Sequence, residues 1–304
     1  MRDIVVLFGA GASYGAGGIL PGRPPLGAGL YAELRVLYPG SWGSLPADID
    51  LIFERHFEDG MSAVHERSGA AIPQLMREMA IYFAQFRVVD PDSAYPRFLK
   101  EMHAGGLLDR VALSTLNYEL ALDLEVLRAG HSLNYFDPAD SARIPLWKLH
   151  GSCNMFSAGV RASQGVSYGT DVTFEGSVEA YLYSGRVIEH CLVETGLAPV
   201  MSLYMSGKPL NVCPSAVRSI QTIWAEATMN ARAVAVVGVR PWPADDHVWG
   251  PLAATAAPFF YIGQREPLLA WARDGRTGPT EIVSDSFGDG LSLLINRIRA
   301  HAAQ

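Results

Sequence analysis

The sequence predicts an α/β protein built on a doubly wound parallel sheet, and three observations carry that expectation. Short apolar runs of strand length recur at Ile4–Phe8, Arg110–Thr115, Ile144–Leu149, Ala233–Val237, Phe259–Ile262 and Thr280–Ser284. Runs of this kind suit strands covered on both faces, as parallel sheets require. Segments with helical spacing alternate with the later runs, at Ser215–Met229, His247–Ala257, Pro267–Arg273 and Leu291–Ala300, which is the rhythm of strand-and-crossover units. Glycines follow the first strand at once, at Gly9, Gly11 and Gly15, where a backbone without a Cβ can turn tightly and approach a ligand.

The first strand, Ile4-Val5-Val6-Leu7-Phe8, feeds directly into Gly9-Ala10-Gly11-Ala12-Ser13-Tyr14-Gly15. Amide N–H groups in such a turn can surround a pyrophosphate, so the loop is the expected nucleotide seat; a plain tight turn is the other reading of the same residues. The dinucleotide fingerprint of dehydrogenases asks for a third glycine where this chain has Tyr14, then a second strand and an acidic residue about twenty positions on. The chain instead continues Gly17-Gly18-Ile19-Leu20-Pro21-Gly22-Arg23-Pro24-Pro25-Leu26-Gly27, too rich in proline and glycine for a helix. An ordinary dehydrogenase is disfavoured.

With 304 residues, 49% of them hydrophobic, the chain can bury a large core. We expect one main domain over residues 1–304, with a helical insertion over residues 30–106. A formal net charge of −7 leaves no global basic footprint, so direct nucleic-acid binding is not expected. No apolar run approaches the length of a membrane span and the N-terminus lacks a leader pattern, so the expectation is a cytoplasmic protein without a membrane partner. The cysteines, Cys153, Cys191 and Cys213, are odd in number and widely spaced, which suits a reducing compartment. With no Cys-x-x-Cys pair, a zinc ribbon is not expected, and no ligand spacing points to a metal.

Within the insertion, helices are expected at Gly29–Tyr38, Ile49–Phe57, Ile72–Phe86 and Tyr95–His103. Ile72, Leu75, Met76, Met79 and Tyr82 recur at three- and four-residue spacing, a buried stripe and not a cofactor box. His56, His65 and His103 have no ligand-like spacing.

Ligands of open α/β sheets bind beyond the carboxyl ends of the strands. Ser114–Glu119 would lie there after the second strand, with Asn117 either facing a ligand or capping the helix that runs to Arg128. His150 would end the third strand, ahead of Gly151, facing a pocket or hydrogen-bonded in a loop. Further on, Ala158–Thr173 reads as a glycine- and serine-rich hairpin or loop, Val178–Thr195 as helical, and Val200–Met205 is ambiguous. The strand Ala233–Val237 ends at Gly238-Val239-Arg240, with Asp245-Asp246-His247 beyond.

Gly-Ala-Gly-Ala-Ser at the first strand, Ser-Thr-Leu-Asn-Tyr-Glu at the second and Lys-Leu-His-Gly-Ser at the third resemble, in order and context, the motifs of the sirtuin superfamily. The middle motif of that family reads Thr-x-Asn-x-Asp. The resemblance implies a Rossmann-like fold taking NAD as substrate. Gly9, Ala10, Gly11 and Ser13 would meet the phosphates and Arg23 would belong to a closing segment. Thr115 would be among the NAD-binding residues, Glu119 would lie near the ribose or nicotinamide, and Gly238 and Arg240 at the adenosine half. Two positions depart from the pattern, Glu119 in place of aspartate and Arg240 in place of serine.

By the same resemblance Asn117 and His150 are the catalytic pair. Asn117 would hold a water and the ribose hydroxyls, and His150 would accept a proton, during attack at the anomeric carbon through an oxocarbenium-like transition state. Without the zinc module that helps deacetylating sirtuins hold a peptide, capture by water is favoured. The chain thus resembles the sirtuin-like NAD hydrolases of bacterial antiphage defence, which deplete NAD. Two other readings stay open: a catalytically weak NAD or ADP-ribose-binding sensor or assembly module, and an NAD-dependent protein deacylase. Restraint of such an activity would come from assembly, as a homo-oligomer or with a regulatory protein encoded nearby. Gly15–Gly29 and Ala158–Gly169 are candidate covers of the site.

Overall fold

The computed structural model describes residues 2–159, 172–194, 196–205 and 207–302. A central sheet contains the strands β1 Ile4–Phe8, β2 Val111–Thr115, β3 Leu133–Asn134, β4 Ile144–Lys148, β5 Ala233–Val237, β6 Phe259–Ile262 and β7 Thr280–Ser284. Their spatial order is β7-β6-β5-β1-β2-β4-β3, and every neighbouring pair is parallel. This is the doubly wound α/β sheet that the apolar runs predict.

β1 takes the centre because it is apolar on both faces and pairs on both edges. Phe8 lies opposite Thr115 of β2 on one side and opposite Val237 of β5 on the other, so three strand ends stand side by side. Alternate side chains point to opposite faces. Ile4, Val6 and Phe8 enter the larger core, under the insertion and the C-terminal helix Phe287–Ala302, while Val5 and Leu7 meet Trp224, Trp249 and Leu268 on the other face. The chain builds outward from β1 through β2 to the β3–β4 edge, then returns to the far side of β1 with β5. The crevice between β1 and β5 is therefore the topological switch point, where such sheets bind ligands.

Between β1 and β2 the chain forms helices Gly27–Leu37, Ala47–Arg55, Phe57–Ser68, Ile72–Phe83 and Ala94–Ala104. The helix Phe57–Ser68 goes beyond the sequence expectation. His56, in extended backbone with φ −155°, breaks one helix and starts the next, a geometry that no proline or glycine announces. Tyr31 stacks on Phe53 with ring centroids 4.4 Å apart, and Trp42 and Phe57 close over the same ring, so these aromatics are core. Gly15–Gly29 is tied to the insertion: Ile19–Leu20 pairs antiparallel with Arg87–Val88, and the amides of Val89 and Ala94 donate to the Gly18 and Ala16 carbonyls.

Residues 178–195 differ from the continuous helix expected. Ser177–Ala180 is a strand antiparallel to Met155–Ala158, and the helix is confined to Ser184–Val193. Ser177–Ala180 alternates exposed and half-buried positions, a strand periodicity too short to stand out. Of the glycine-rich segment 158–173, residues 160–171 lie outside the described residues. Among the described residues no helix is long and apolar enough to cross a membrane.

Candidate functional site

The turns after β1 and β5 meet across the switch point. The Gly9 and Gly11 amides donate to the carbonyls of Val237 and Gly238, each at 2.9 Å. Gly238 has φ +67°, and a Cβ there would stand 2.0 Å from the Ala12 nitrogen. Glycine is needed here because backbone packs on backbone. The two amides expected at a phosphate are thus engaged by carbonyls, and within this turn Ala10 and Ser13 line the adjoining cavity.

That cavity encloses about 520 Å³, part of it open to solvent, with Pro24, Pro25, Leu30 and Phe83 forming apolar walls and Asn117 and Glu119 the polar floor. The floor is a closed hydrogen-bond network. Ser13 donates to Glu119 Oε1 at 2.6 Å, and Asn117 Nδ2 donates to the Gly9 carbonyl at 3.1 Å, to Ser13 Oγ at 3.0 Å and to Glu119 Oε1 at 3.1 Å. The single Ser13 proton goes to Glu119, so the Tyr95 hydroxyl, 2.8 Å from Ser13 Oγ, must be the donor there. Burial first, and then the Glu119 charge, push the Tyr95 phenol well above its usual pKa, which keeps that donor protonated.

The orientation of Asn117 follows from its acceptors. A carbonyl and a carboxylate can only accept, so the end of the side chain facing them is the NH2 end. Its Oδ1 has no hydrogen-bond partner among the described residues, and Asn117 is a lining residue of the cavity. It does not cap the following helix: the cap position of Ala121–Arg128 is Leu120, and the Ala121 amide donates to Glu119 Oε2. Thr115 serves the turn as well, its Oγ1 accepting the Asn117 amide at 3.0 Å.

A buried ion pair braces this turn from beneath. Lys148 Nζ donates to the Glu119 carbonyl at 3.0 Å and to Asp123 Oδ2 at 2.7 Å, and Tyr135 donates to Asp123 Oδ1 at 2.6 Å. Lys148 is 0% exposed and Asp123 2%. Burying both charges is tolerable because each is hydrogen-bonded and paired.

His150 occupies the neighbouring strand end, after β4. Gly151 has φ +71°, and a Cβ there would lie 2.0 Å from the Val200 carbonyl oxygen. The Ser202 amide donates to the His150 carbonyl at 2.8 Å. The buried imidazole faces His247, Nε2 to Nε2 at 3.0 Å, and lies 3.6 Å from Asp245 Oδ1. Burial, then His247 and Lys208, hold the His150 pKa well below its usual value, while burial raises that of Asp245 against the opposing charge of Lys208. The Lys208 ammonium pairs with Glu58 at 2.5 Å and sits 4.7 Å above the ring of Tyr204, itself a wall of the Asn117 cavity.

The structure therefore gathers Ala10, Ser13, Asn117 and Glu119 around one cavity, with Gly9, Gly11, Gly238 and Thr115 shaping the turns behind it. His150 falls in the adjacent cluster and does not line that cavity. Arg23 is exposed, its guanidinium 4.6 Å from the Tyr14 ring centroid, and Arg240 is exposed as well; neither lines the cavity. Sequence reasoning missed the roles of Tyr95, Lys208, Asp245 and His247. For the last two a signal existed, an Asp-x-His triplet shortly after β5, but it lies far along the chain from His150.

No family model matches this chain, and no curated protein matches it. Among solved structures the chain is similar to one described as "Structural Basis for the Mechanism and Regulation of Sir2 Enzymes", with 15% identity and a TM-score of 0.45, over 100% of this chain and 94% of that one.

Proposed function

We propose that the protein is an NAD hydrolase that cleaves the bond between nicotinamide and ribose. The observation carrying this reading is Asn117: its NH2 is held by three acceptors while its Oδ1 is left without a partner at the cavity. An oxygen fixed in that way accepts a hydrogen bond from a water or a ribose hydroxyl and aligns it without reorganisation during the reaction. In the proposed step the C1′–N bond breaks with its electron pair going to nicotinamide. A water oxygen forms the new bond to C1′, and its proton passes to a base. His150 is the assigned base; its lowered pKa keeps it in the neutral, proton-accepting form.

The sequence motifs support NAD as the substrate, with Ala10 and Ser13 on the phosphate side of the cavity, Glu119 at the ribose end, and Gly238 and Arg240 towards the adenosine. Action in antiphage defence, and restraint by self-association or by a partner protein, belong to this proposal through the sequence resemblance. A second reading, binding of NAD or ADP-ribose without turnover, is favoured by one observation: His150 stands outside the cavity that Asn117 lines.

Incubation of the purified protein with NAD, followed by chromatography for nicotinamide and ADP-ribose, separates the readings. Stoichiometric release of both products is expected. Saturable NAD binding with no nicotinamide would favour the binding module, and release dependent on an acetylated peptide would favour a deacylase. If assembly restrains the enzyme, specific activity will rise with protein concentration; a constant value from dilute monomer upward would contradict that restraint.

A further inference from the structure

The cluster behind the cavity is incomplete as a hydrogen-bond network. His150 and His247 face each other through the same ring atom, Nε2, at 3.0 Å; two neutral imidazoles in that arrangement share one hydrogen. Asp245 Oδ1 is buried without a hydrogen-bond partner, and its separation of 3.6 Å from His150 Nε2 is too long to provide one. Two imidazoles that share one hydrogen and a carboxylate oxygen without a partner thus face one another, and their ligand atoms all lie within 4.8 Å of one another.

We propose that His150, Asp245 and His247 form a site for one divalent transition-metal ion of the zinc class, and that its occupancy and the proton-accepting role of His150 exclude each other. The second half of this statement rests on the functional reading above; the first does not. Two imidazoles and a carboxylate are a ligand set that suits zinc and its neighbours in preference to magnesium or calcium, which take oxygen. For bonds of about 2.1 Å, atoms 3.0 Å and 3.6 Å apart subtend angles of about 90° and about 120° at the ion, so His150 can share an ion with either neighbour. Three protein ligands leave one position for water.

The local framework holds these groups firmly. His150 is fixed by the Ser202 amide and the Gly151 turn, and Asp245 and His247 lie at the start of the helix Asp246–Ala254. His247 is half-buried, which gives an ion access from outside. Lys208 is a nearby cation that opposes binding, and Glu58 offsets its charge at 2.5 Å. A metal on His150 Nε2 takes the lone pair that would otherwise accept the proton from water, so a bound ion would act as a brake on hydrolysis.

The test is calorimetric titration of Zn²⁺ into the full, chelator-treated chain, with Co²⁺ absorption as a second readout of the ligand set. One ion per chain is expected, with at least a tenfold weaker Kd for Asp245→Asn and near loss for His247→Ala, or for His247→Gln if the alanine variant does not fold. His56→Ala, on a histidine outside the cluster, should bind as the wild type does. Absence of binding at millimolar metal, or unchanged affinity in both cluster variants, would overturn the site. In the activity arm, nicotinamide release should fall in proportion to occupancy and return on chelation. Binding without any change in turnover would overturn the mutual exclusion. Binding to a chain that never releases nicotinamide would leave the site standing and overturn the hydrolase reading instead.

Discussion

The two strand ends that carry Asn117 and His150 are neighbours in the sheet and opposites in construction. Around Asn117 the amide, Ser13 and Glu119 are all hydrogen-bonded to one another, and Oδ1, which has no partner among the described residues, belongs to a residue that lines the cavity. Around His150 the unmet group, Asp245 Oδ1, is buried and turned inward, 3.6 Å from an imidazole. A closed network with one free acceptor is a preorganised site, whereas a cluster with an inward deficit is waiting for a proton, a water or an ion. The two regions should therefore respond to substitution in opposite ways.

The largest expected effect on stability is in the brace beneath the closed network. Lys148→Met leaves Asp123 buried at 2% exposure without its ion partner and should cost about 3–5 kcal/mol in denaturant unfolding; a cost below about 1 kcal/mol would show that the turn does not depend on the pair. Gly238→Ala comes next. Its Cβ would meet the Ala12 nitrogen at 2.0 Å with φ at +67°, and a loss of about 2–4 kcal/mol is expected from combined clash and strain; a near-normal melting curve would disprove the tight crossing of the two turns.

Ser13→Ala removes one donor to Glu119 and one acceptor for Asn117 and Tyr95. It should cost about 1–3 kcal/mol and lower kcat more than it raises KM, because it frees the Asn117 amide to turn. The contrast is sharpened by Asp245→Asn in the open cluster, which replaces an unsatisfied buried carboxylate and should be neutral or stabilising by up to about 1 kcal/mol. A large loss there would mean that the cluster is already complete. Smallest of all, Arg240→Ala, at an exposed position, should leave the melting temperature unchanged and NAD turnover within about twofold; a much larger loss of turnover would bring Arg240 into the adenosine site that the sequence resemblance assigns it.

The sheet was legible because its signal is local. Ala233–Val237, Phe259–Ile262 and Thr280–Ser284 are strands with the boundaries read from the sequence, since the first two are apolar runs and the third continues their alternation with helices. The region between β4 and the helix Pro214–Met229 was not, because isolated long-range bridges order it, Gly151 with Met201 and Phe174 with Val212. The two-residue edge strand Leu133–Asn134 is too short to show a period.

At the site, the positions of Asn117 and Glu119 beyond a strand end were readable, but the state of the amide was not. Its partners Gly9 and Ser13 stand 108 and 104 residues away, and no spacing rule spans that distance. The same holds for the histidine pair, 97 residues apart, which is why spacing alone gave no hint of a metal. Gly9 and Gly11, which the sequence places beside a ligand, spend their amides on Val237 and Gly238 and so hold the two loops together, a partnership between distant parts of the chain that no local pattern shows.

The central claim is that Asn117 acts in the chemical step through an oxygen oriented by its pinned amide, and it is tested by measuring NAD affinity and nicotinamide release on the same preparation of Asn117→Ala. We predict that NAD binds within about threefold of the wild type while release falls by about 10²–10³-fold, the loss typical of removing one transition-state hydrogen bond. Release retained within about tenfold, with binding intact, would contradict the account.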